Sequence, residues 1–457
     1  MNWWRALDAK LRAGNLPHRF VTFFATSLAA RGLGIACQLL QVPLVVGALG
    51  SEAFGLWMTM TSITNLVQFA DLGLGIGLQN RLTEKFTHGQ DAEARAQFGS
   101  VFAFLAAVGL AVGSLLTIIL GHLDLAALFH LRDSATIAQA PTAALALTWV
   151  FCAGFPLGLA QRLAFARHEG WMFNVAQALG SLGALGAVAF GVHAGWNLAL
   201  LAVAAQGTLL LMNGVLLGVQ LFQLRWFRGR FPRPHSGTVR ELLGVGAFFS
   251  VQQIVGTVMF SLPQVIISAT LGAAAVTPYN LVQRLFNLFA VVQNAFLLPL
   301  WPAYSRARAR GEFDWMRRAL RRSFQATVLG CVGPLVLCAC FAPGIIQLWV
   351  GHAQAAPGYG LVWLLCLLNT LTFLQQPCLY LLVAVSEVKL ITCYSVLGAI
   401  AGVFLMLLLV RISGVHGVVL GLLLGYMPFN LIGYLTEVRR YLQRNLPTAA
   451  PVPLPVL

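Results

Sequence analysis

Charged residues are scarce in this sequence. They make up 9% of its 457 residues, whereas an average soluble domain has about 25%. The eight cysteines include no CxxC pair, so the sequence lacks a disulfide framework and a metal-binding signature. These deficits exclude an ordinary soluble enzyme. The hydrophobic share of 58% instead indicates a protein that crosses a membrane several times.

Long apolar runs account for most of the chain, and about twelve of them approach the roughly 20 residues that cross a bilayer. Each must be a helix, because lipid offers no hydrogen-bond partner to a free backbone group. We therefore expect an all-α integral membrane protein. Its predicted parts are a cytoplasmic interfacial segment (1–19), six helices (20–221), a basic linker (222–242), six further helices (243–438) and a disordered tail (439–457).

Lys and Arg side chains concentrate in alternate segments between the predicted helices, which hold 25 of the 29. Such segments favour the cytoplasm, so both termini are predicted to be cytoplasmic. The net charge of +15 follows from the same bias. Membrane lipids, rather than nucleic acid, are therefore the partners that this charge predicts.

The two halves of the chain repeat one pattern. A shift of 222 residues, without gaps, aligns Leu49 with Leu271, Gly50 with Gly272, Asn65 with Asn287, Gly89 with Gly311 and Arg95 with Arg317. Because this offset spans six predicted helices, an even number, the halves are predicted to be parallel repeats. Transporters built in this way hold their cargo between the halves, near the middle of the membrane.

Three charged side chains, Arg31, Asp71 and Arg284, lie inside the apolar runs. An ionised group at this depth costs about 3 kcal/mol or more and normally faces a bundle interior or a wet cavity. Asp71 could form a structural salt bridge with Arg31, and it could equally couple transport to H⁺ or Na⁺. The sum of the three charges is positive, which suits an anionic phosphate group.

Polar side chains form stripes at helical spacing on the first two predicted helices of each half. Four matched stripes would line a hydrophilic cavity, although a single amide can also hold membrane helices together. An anionic headgroup with attached sugars fits such a lining, whereas a cation carrier would need the opposite charge. The cavity candidates are Gln38, Asn65, Gln68, Gln253, Asn280 and Asn287.

Two stretches carry the most specific family signal: residues 42–100, with FADLGLGIGLQNRLTEKF, and residues 243–323, with PYNLVQRLFNLFAVVQNAFLLPLW. They resemble the polysaccharide (O-antigen type) flippases of the multidrug/oligosaccharidyl-lipid/polysaccharide exporter superfamily. The resemblance covers nearly all the chain and implies two six-helix bundles that alternate access around a cationic cavity. The cargo it implies is an undecaprenyl-pyrophosphate-linked oligosaccharide, which moves from the cytoplasmic to the outer leaflet.

By the same resemblance, Arg31 and Arg284 hold the pyrophosphate and Asp71 is the candidate for ion coupling. One alternative is a cation or drug antiporter of this superfamily, which the positive cavity disfavours. Another is a membrane enzyme of lipid-linked glycan assembly, such as a polymerase or ligase, but the predicted outer loops are short. We expect no catalytic activity, cofactor or bound metal. Polysaccharide polymerase and chain-length machinery are protein partners compatible with this role.

Overall fold

A computed structural model describes residues 18–67, 74–226, 247–351, 357–385, 387 and 389–444. Most of the predicted interfacial segment, most of the predicted linker and the end of the tail lie outside these described residues. The predicted tail begins at 439, but helix continues to Arg444. The described part contains helices and no strand, so the prediction of an all-α fold is confirmed.

The helices of the first half follow one another with short connections. They are α1 (His18–Val67), α2 (Leu74–Thr87), α3 (Asp91–His122), α4 (Leu125–Leu128), α5 (Ser134–Leu157), α6 (Leu159–Ala166), α7 (Gly170–His193) and α8 (Leu198–Gln223).

The described residues of the second half form eight α-helices as well. They are α9 (Ala247–Leu271), α10 (Val276–Leu297), α11 (Leu300–Ala309), α12 (Phe313–Thr327), α13 (Gly333–Val350), α14 (Tyr359–Ala384), α15 (Lys389–Gly421) and α16 (Met427–Arg444). A 3₁₀ turn, Ala273–Ala275, precedes α10, and π-helical turns Val328–Val332 and Leu422–Tyr426 precede α13 and α16.

Nine helical stretches of the described part are long and apolar enough to cross a membrane, against about twelve predicted spans. Two of the nine contain two predicted spans each, because helix continues across a kink at Gly50 in one and at Gly414 in the other. The predicted span around Arg284 is α10, which is not among the nine because Asn, Gln and Arg side chains interrupt its apolar sequence. The chain is thus a multi-pass membrane protein.

The repeat of 222 residues is present in the backbone. Gly50 has φ 82° and ψ 172°, and its aligned partner Gly272 has φ 94° and ψ 158°. Gly89 and Gly311, the second aligned pair, have φ 68° and 69°. Positive φ is readily adopted by glycine alone, so the two halves place glycine where each repeats the same local turn.

The first of two compact units contains residues up to Ser250 together with 271–277 and 349–352. One of its apolar clusters joins α2, α3, α5, α6, α7 and α8, at the end of the helices where Lys and Arg concentrate. In each unit, we call the end of the helices with this concentration of Lys and Arg its basic end. Leu78, Phe98 and Leu163 are fully buried there, and the ring of Phe98 lies 5.5 Å from that of Trp226. Packing of this cluster holds the helices of the first unit together.

The second unit contains residues 251–270, 278–348 and 353 onward. The apolar cluster at its own basic end joins α11, α12, α14, α15 and α16 through buried side chains that include Tyr304, Met316, Leu381 and Tyr434. The short helices α11 and α12 therefore form part of a packed core.

Candidate functional site

Arg284 is held in a hydrogen-bonded relay within the second unit. Its Nε donates to Oδ1 of Asn280, one helical turn earlier on α10, at 2.9 Å. Nδ2 of Asn280 in turn donates to Oε1 of Gln264 on α9, at 2.9 Å. Arg284 lies about 12 Å along α10 from its first residue, and the 7% exposure of Asn280 places the relay in the interior.

The relay fixes one edge of the guanidinium. Asn280 uses both ends of its amide, and the bond that its Nδ2 donates to Gln264 fixes the orientation in which its Oδ1 faces Arg284. The terminal nitrogens of a guanidinium carry four N–H groups in one plane, a geometry that matches two oxygens of a phosphate. Arg284 also has a further interaction besides its bond to Asn280. An oriented arginine in an apolar helix is therefore suited to bind an anion with paired oxygens.

The other polar residues of α10 divide into two groups. Asn287, a predicted cavity residue, is exposed. Three other amide side chains of α10 form hydrogen bonds with other helices of the second unit. Asn369 donates to Gln283 at 2.9 Å, Gln293 donates to the carbonyl of Phe373 at 2.7 Å, and Tyr380 donates to Asn294 at 3.0 Å. These three amides hold helices together.

The predicted residues of the first unit lie along α1. Arg31 and Gln38, two helical turns apart, are exposed, and Asn65 is half-buried. Thr61, on the same polar stripe as Asn65, accepts from Gln206 of α8 at 3.0 Å, which makes it a contact between helices. Gln68, Asp71 and the side chain of Gln253 lie outside the described residues. The proposed pairing of Arg31 with Asp71 thus stays a prediction.

Residues 271–277, which we call the strap, pack with the first unit at the end opposite the basic end. The amide of Ala273 donates to the carbonyl of Phe129 at 3.0 Å, and Oγ1 of Thr277 donates to the carbonyl of Ser51 at 2.6 Å. A Cβ at Gly55 would overlap the carbonyl oxygen of Ala273. Glycine at residue 55 is therefore required for the strap to lie against α1.

A second contact at this end uses a carbonyl that proline leaves without its helical donor. Pro43 lies inside α1 and has no N–H, so the carbonyl of Leu39 lacks its usual partner four residues later. Nε1 of Trp349 donates to this carbonyl at 2.9 Å. We call the strap and Trp349 together the clamp. Both come from the second half of the sequence, and both bind main-chain carbonyls of the first.

The loop beside the strap is fixed by two carboxylates. Glu52 accepts from the amides of Arg132 and Asp133, at 2.8 and 3.0 Å. Asp133 caps α5, and hydrogen bonds from the side chain and backbone of Thr136 lower the pKa of its carboxyl. The carboxylate therefore keeps its capping role when the pH falls to the ordinary range of aspartate titration.

Sequence periodicity predicted the position of Arg284 in an apolar helix, and it did not predict the clamp. The signals for the clamp were of another kind. A proline inside a predicted span marks an unpaired carbonyl four residues earlier, and the repeated glycines Gly50 and Gly272 mark the two turns beside it. Neither signal identifies Trp349 or Thr277 as the donor.

Comparison with known proteins places the chain in a family. A family model described as polysaccharide biosynthesis protein matches residues 24–308. An O-antigen transporter of Salmonella typhi is 23% identical over 331 residues, which are 71% of this chain and 72% of that protein. An O-antigen export protein of Yersinia pseudotuberculosis is 21% identical over 307 residues, which are 64% of this chain and 66% of that protein.

Solved structures share the fold at low sequence identity. An inward-facing multidrug resistance transporter of the MATE family, in the MOP superfamily, has a TM-score of 0.74 at 15% identity, over 91% of this chain and 96% of its own. A MOP superfamily transporter from Pyrococcus furiosus, described with a binding pocket of reverse polarity, has a TM-score of 0.65 at 14% identity, over 94% of this chain and 96% of its own. The chain therefore belongs to the polysaccharide biosynthesis protein family and is a membrane transporter with the fold of the multidrug/oligosaccharidyl-lipid/polysaccharide exporter superfamily.

Proposed function

We propose that this protein is a flippase that moves an undecaprenyl-pyrophosphate-linked oligosaccharide from the cytoplasmic to the outer leaflet of a bacterial inner membrane, for O-antigen or other surface polysaccharide. The observation that carries the proposal is the oriented guanidinium of Arg284. A diphosphate offers the paired oxygens that such a group binds. The two relatives named for O-antigen transport and export support the same class of cargo.

The sign of the charge distinguishes this proposal from a cation or drug antiporter. Arg284 is the one charged residue in the sequences of α9 and α10. A carrier of cations would need a carboxylate at this depth, and a positive charge would repel its cargo. Arg31 on α1 adds a second positive charge to the proposed site. Amides such as Asn287 and Gln38 suit the hydroxyl groups of sugars.

The proposed mechanism is alternating access. The lipid tail cannot enter water, because exposure of each CH₂ costs about 0.8 kcal/mol. Only the headgroup therefore passes through the polar interior, while the tail stays in the bilayer. We propose that the clamp opens and closes during this cycle, because only a few hydrogen bonds hold it.

The proposed roles of Asp71 and Arg31 rest on the sequence. We propose that Arg31 is the second ligand of the diphosphate and that Asp71 couples transport to H⁺ or Na⁺. A salt bridge between the two residues is the competing role. These two proposals are independent of the Arg284 relay.

The test is complementation of a strain that lacks its own flippase. The Arg284→Ala variant should lose surface polysaccharide while its level in the membrane stays normal, and Arg284→Lys should restore part of it, because a lysine keeps the charge without the planar fork. Arg411→Ala is the matched control, since Arg411 is an exposed arginine on another helix of the second unit. Normal polysaccharide from Arg284→Ala, or cation export by the parent protein, would refute the proposed function.

A further inference from the structure

Helix α12 is amphipathic, and one of its faces belongs to the core of the second unit. Met316, Leu320, Ser323 and Thr327 recur at steps of three and four residues and are buried. Met316 and Leu320 pack in the cluster that contains Tyr304. The buried face therefore fixes which way the rest of the helix points.

The opposite face of α12 carries four arginines. Arg317, Arg318, Arg321 and Arg322 are all exposed, and two pairs of them are neighbours four residues apart, an arrangement that destabilises a helix by like-charge repulsion. Within the described residues, none of the four has an ion pair or a hydrogen bond from its side chain. We call these four side chains the basic face.

Three other arginines, at the basic ends of the two units, each have an acidic neighbour. Arg167 pairs with Glu169, Arg310 approaches Glu312, and Arg440 pairs with Glu437. The orientation rule for membrane proteins requires positive charge near the ends of spans and does not require it on one face of one helix. The concentration of charge on α12 therefore needs another partner.

The position of α12 identifies the anions within reach. The helix continues through the π turn into α13, and together they form one candidate span, Phe313–Val350. Arg317 and Arg322 are about 8 Å apart along the axis, directly before the apolar part of this span. Attraction to a charged leaflet acts within about one Debye length, roughly 8–10 Å. Arginines at this end of a span are therefore within reach of charged lipid headgroups.

We propose that the basic face binds the phosphate groups of anionic phospholipids in the leaflet at the basic end. Successive residues of a helix point about 100° apart, so Arg317 with Arg321 and Arg318 with Arg322 form two separate columns. Two columns suit several lipid phosphates side by side and do not converge on one diphosphate. The proposal rests on the membrane location of the chain and is independent of its cargo.

Lipid bound at this face would act on the helix that carries Arg284. Gln293 of α10 donates to Oγ1 of Thr327, at the end of α12, at 3.3 Å, and to the carbonyl of Phe373 at 2.7 Å. Gln293 is 2% exposed, so this junction of α10, α12 and α14 is closed to solvent. Anionic lipid that offsets the repulsion on α12 would therefore stabilise the packing against α10.

The test is native mass spectrometry of the purified full-length protein, titrated with phosphatidylglycerol or with phosphatidylcholine. The parent should retain phosphatidylglycerol selectively, and the variant with all four arginines of the basic face changed to Gln should bind it about tenfold more weakly, more so at low salt. The matched control removes four other exposed arginines of the same end: Arg310→Gln, Arg439→Gln, Arg440→Gln and Arg444→Gln.

Selective retention that survives in the control and is lost in the basic-face variant supports the proposal. Equal loss in both variants, or equal binding of the two lipids by the parent, would overturn it. If the fourfold variant does not fold, Arg317→Gln with Arg321→Gln, compared with Arg439→Gln and Arg440→Gln, gives the same contrast. Displacement of phosphatidylglycerol by an equal amount of a short-chain prenyl diphosphate would assign the face to cargo instead. Transport is measured in a separate assay, so the lipid site and the proposed flippase function can each be refuted without the other.

Discussion

Removal of the hydrogen bond from Trp349 to Leu39 is a specific test of the clamp. Phe at residue 349 keeps an aromatic ring and removes the indole N–H, so the carbonyl that Pro43 leaves unpaired loses its donor. An orphaned carbonyl away from water costs about 1–3 kcal/mol. Trp349→Phe should therefore shift the clamp toward its open form by roughly five- to a hundredfold.

The assay is the labelling rate of a cysteine at Ala273, which is 1% exposed in the closed strap. A membrane-impermeant maleimide is applied to protein in which the eight native cysteines have been replaced. Trp349→Phe should raise the labelling rate by the factor given above. The reference is the same cysteine variant with Trp349 retained.

Pro43→Ala supplies the control within the same helix. Alanine restores the N–H of residue 43 to the carbonyl of Leu39, so Trp349 is no longer its sole donor. Trp349→Phe should then have little effect on the labelling rate. An unchanged rate in the single variant, or an equal increase in both backgrounds, would refute the role of this carbonyl.

Three further predictions concern the strap, the relay and ion coupling. Gly55→Ala should prevent the strap from closing and greatly speed its labelling, whereas Gly32→Ala in the same helix, with nothing within 4 Å of an added Cβ, should leave the rate unchanged. Asn280→Ala should raise the KM for lipid-linked oligosaccharide about tenfold, because the Nε of Arg284 loses its acceptor; an unchanged KM would contradict the relay. Asp71→Asn should leave cargo binding intact and stop gradient-driven transport in vesicles, and loss of folded protein would favour the salt bridge instead.

Local patterns in the sequence were sufficient for the class of fold. Hydropathy predicted the helices, because it depends on residues that are close in the chain. The gapless repeat aligned Gly50 with Gly272, and the structure shows that both have positive φ. The count of spans differed where helix continues through Gly50 and Gly414. Such continuity depends on backbone geometry at a single residue, which composition does not determine.

The site was less predictable because its contacts join distant residues. Polar spacing identified α10, but it could not separate Asn280, which orients Arg284, from Asn294, which pairs with Tyr380. The side-chain donors of the clamp, Thr277 and Trp349, are 226 and 310 residues away from their acceptors. No periodic pattern links residues at such separations.

The most direct test of the account is transport by purified protein in vesicles. Lipid-linked oligosaccharide is placed in one leaflet, and its appearance in the other is measured with a glycosidase confined to one side. The account predicts transport by the parent, a loss of about ten- to a hundredfold in Arg284→Gln, as for a charge-assisted bond to the cargo, and parent rates in Arg411→Gln. Equal rates for parent and Arg284→Gln would contradict it.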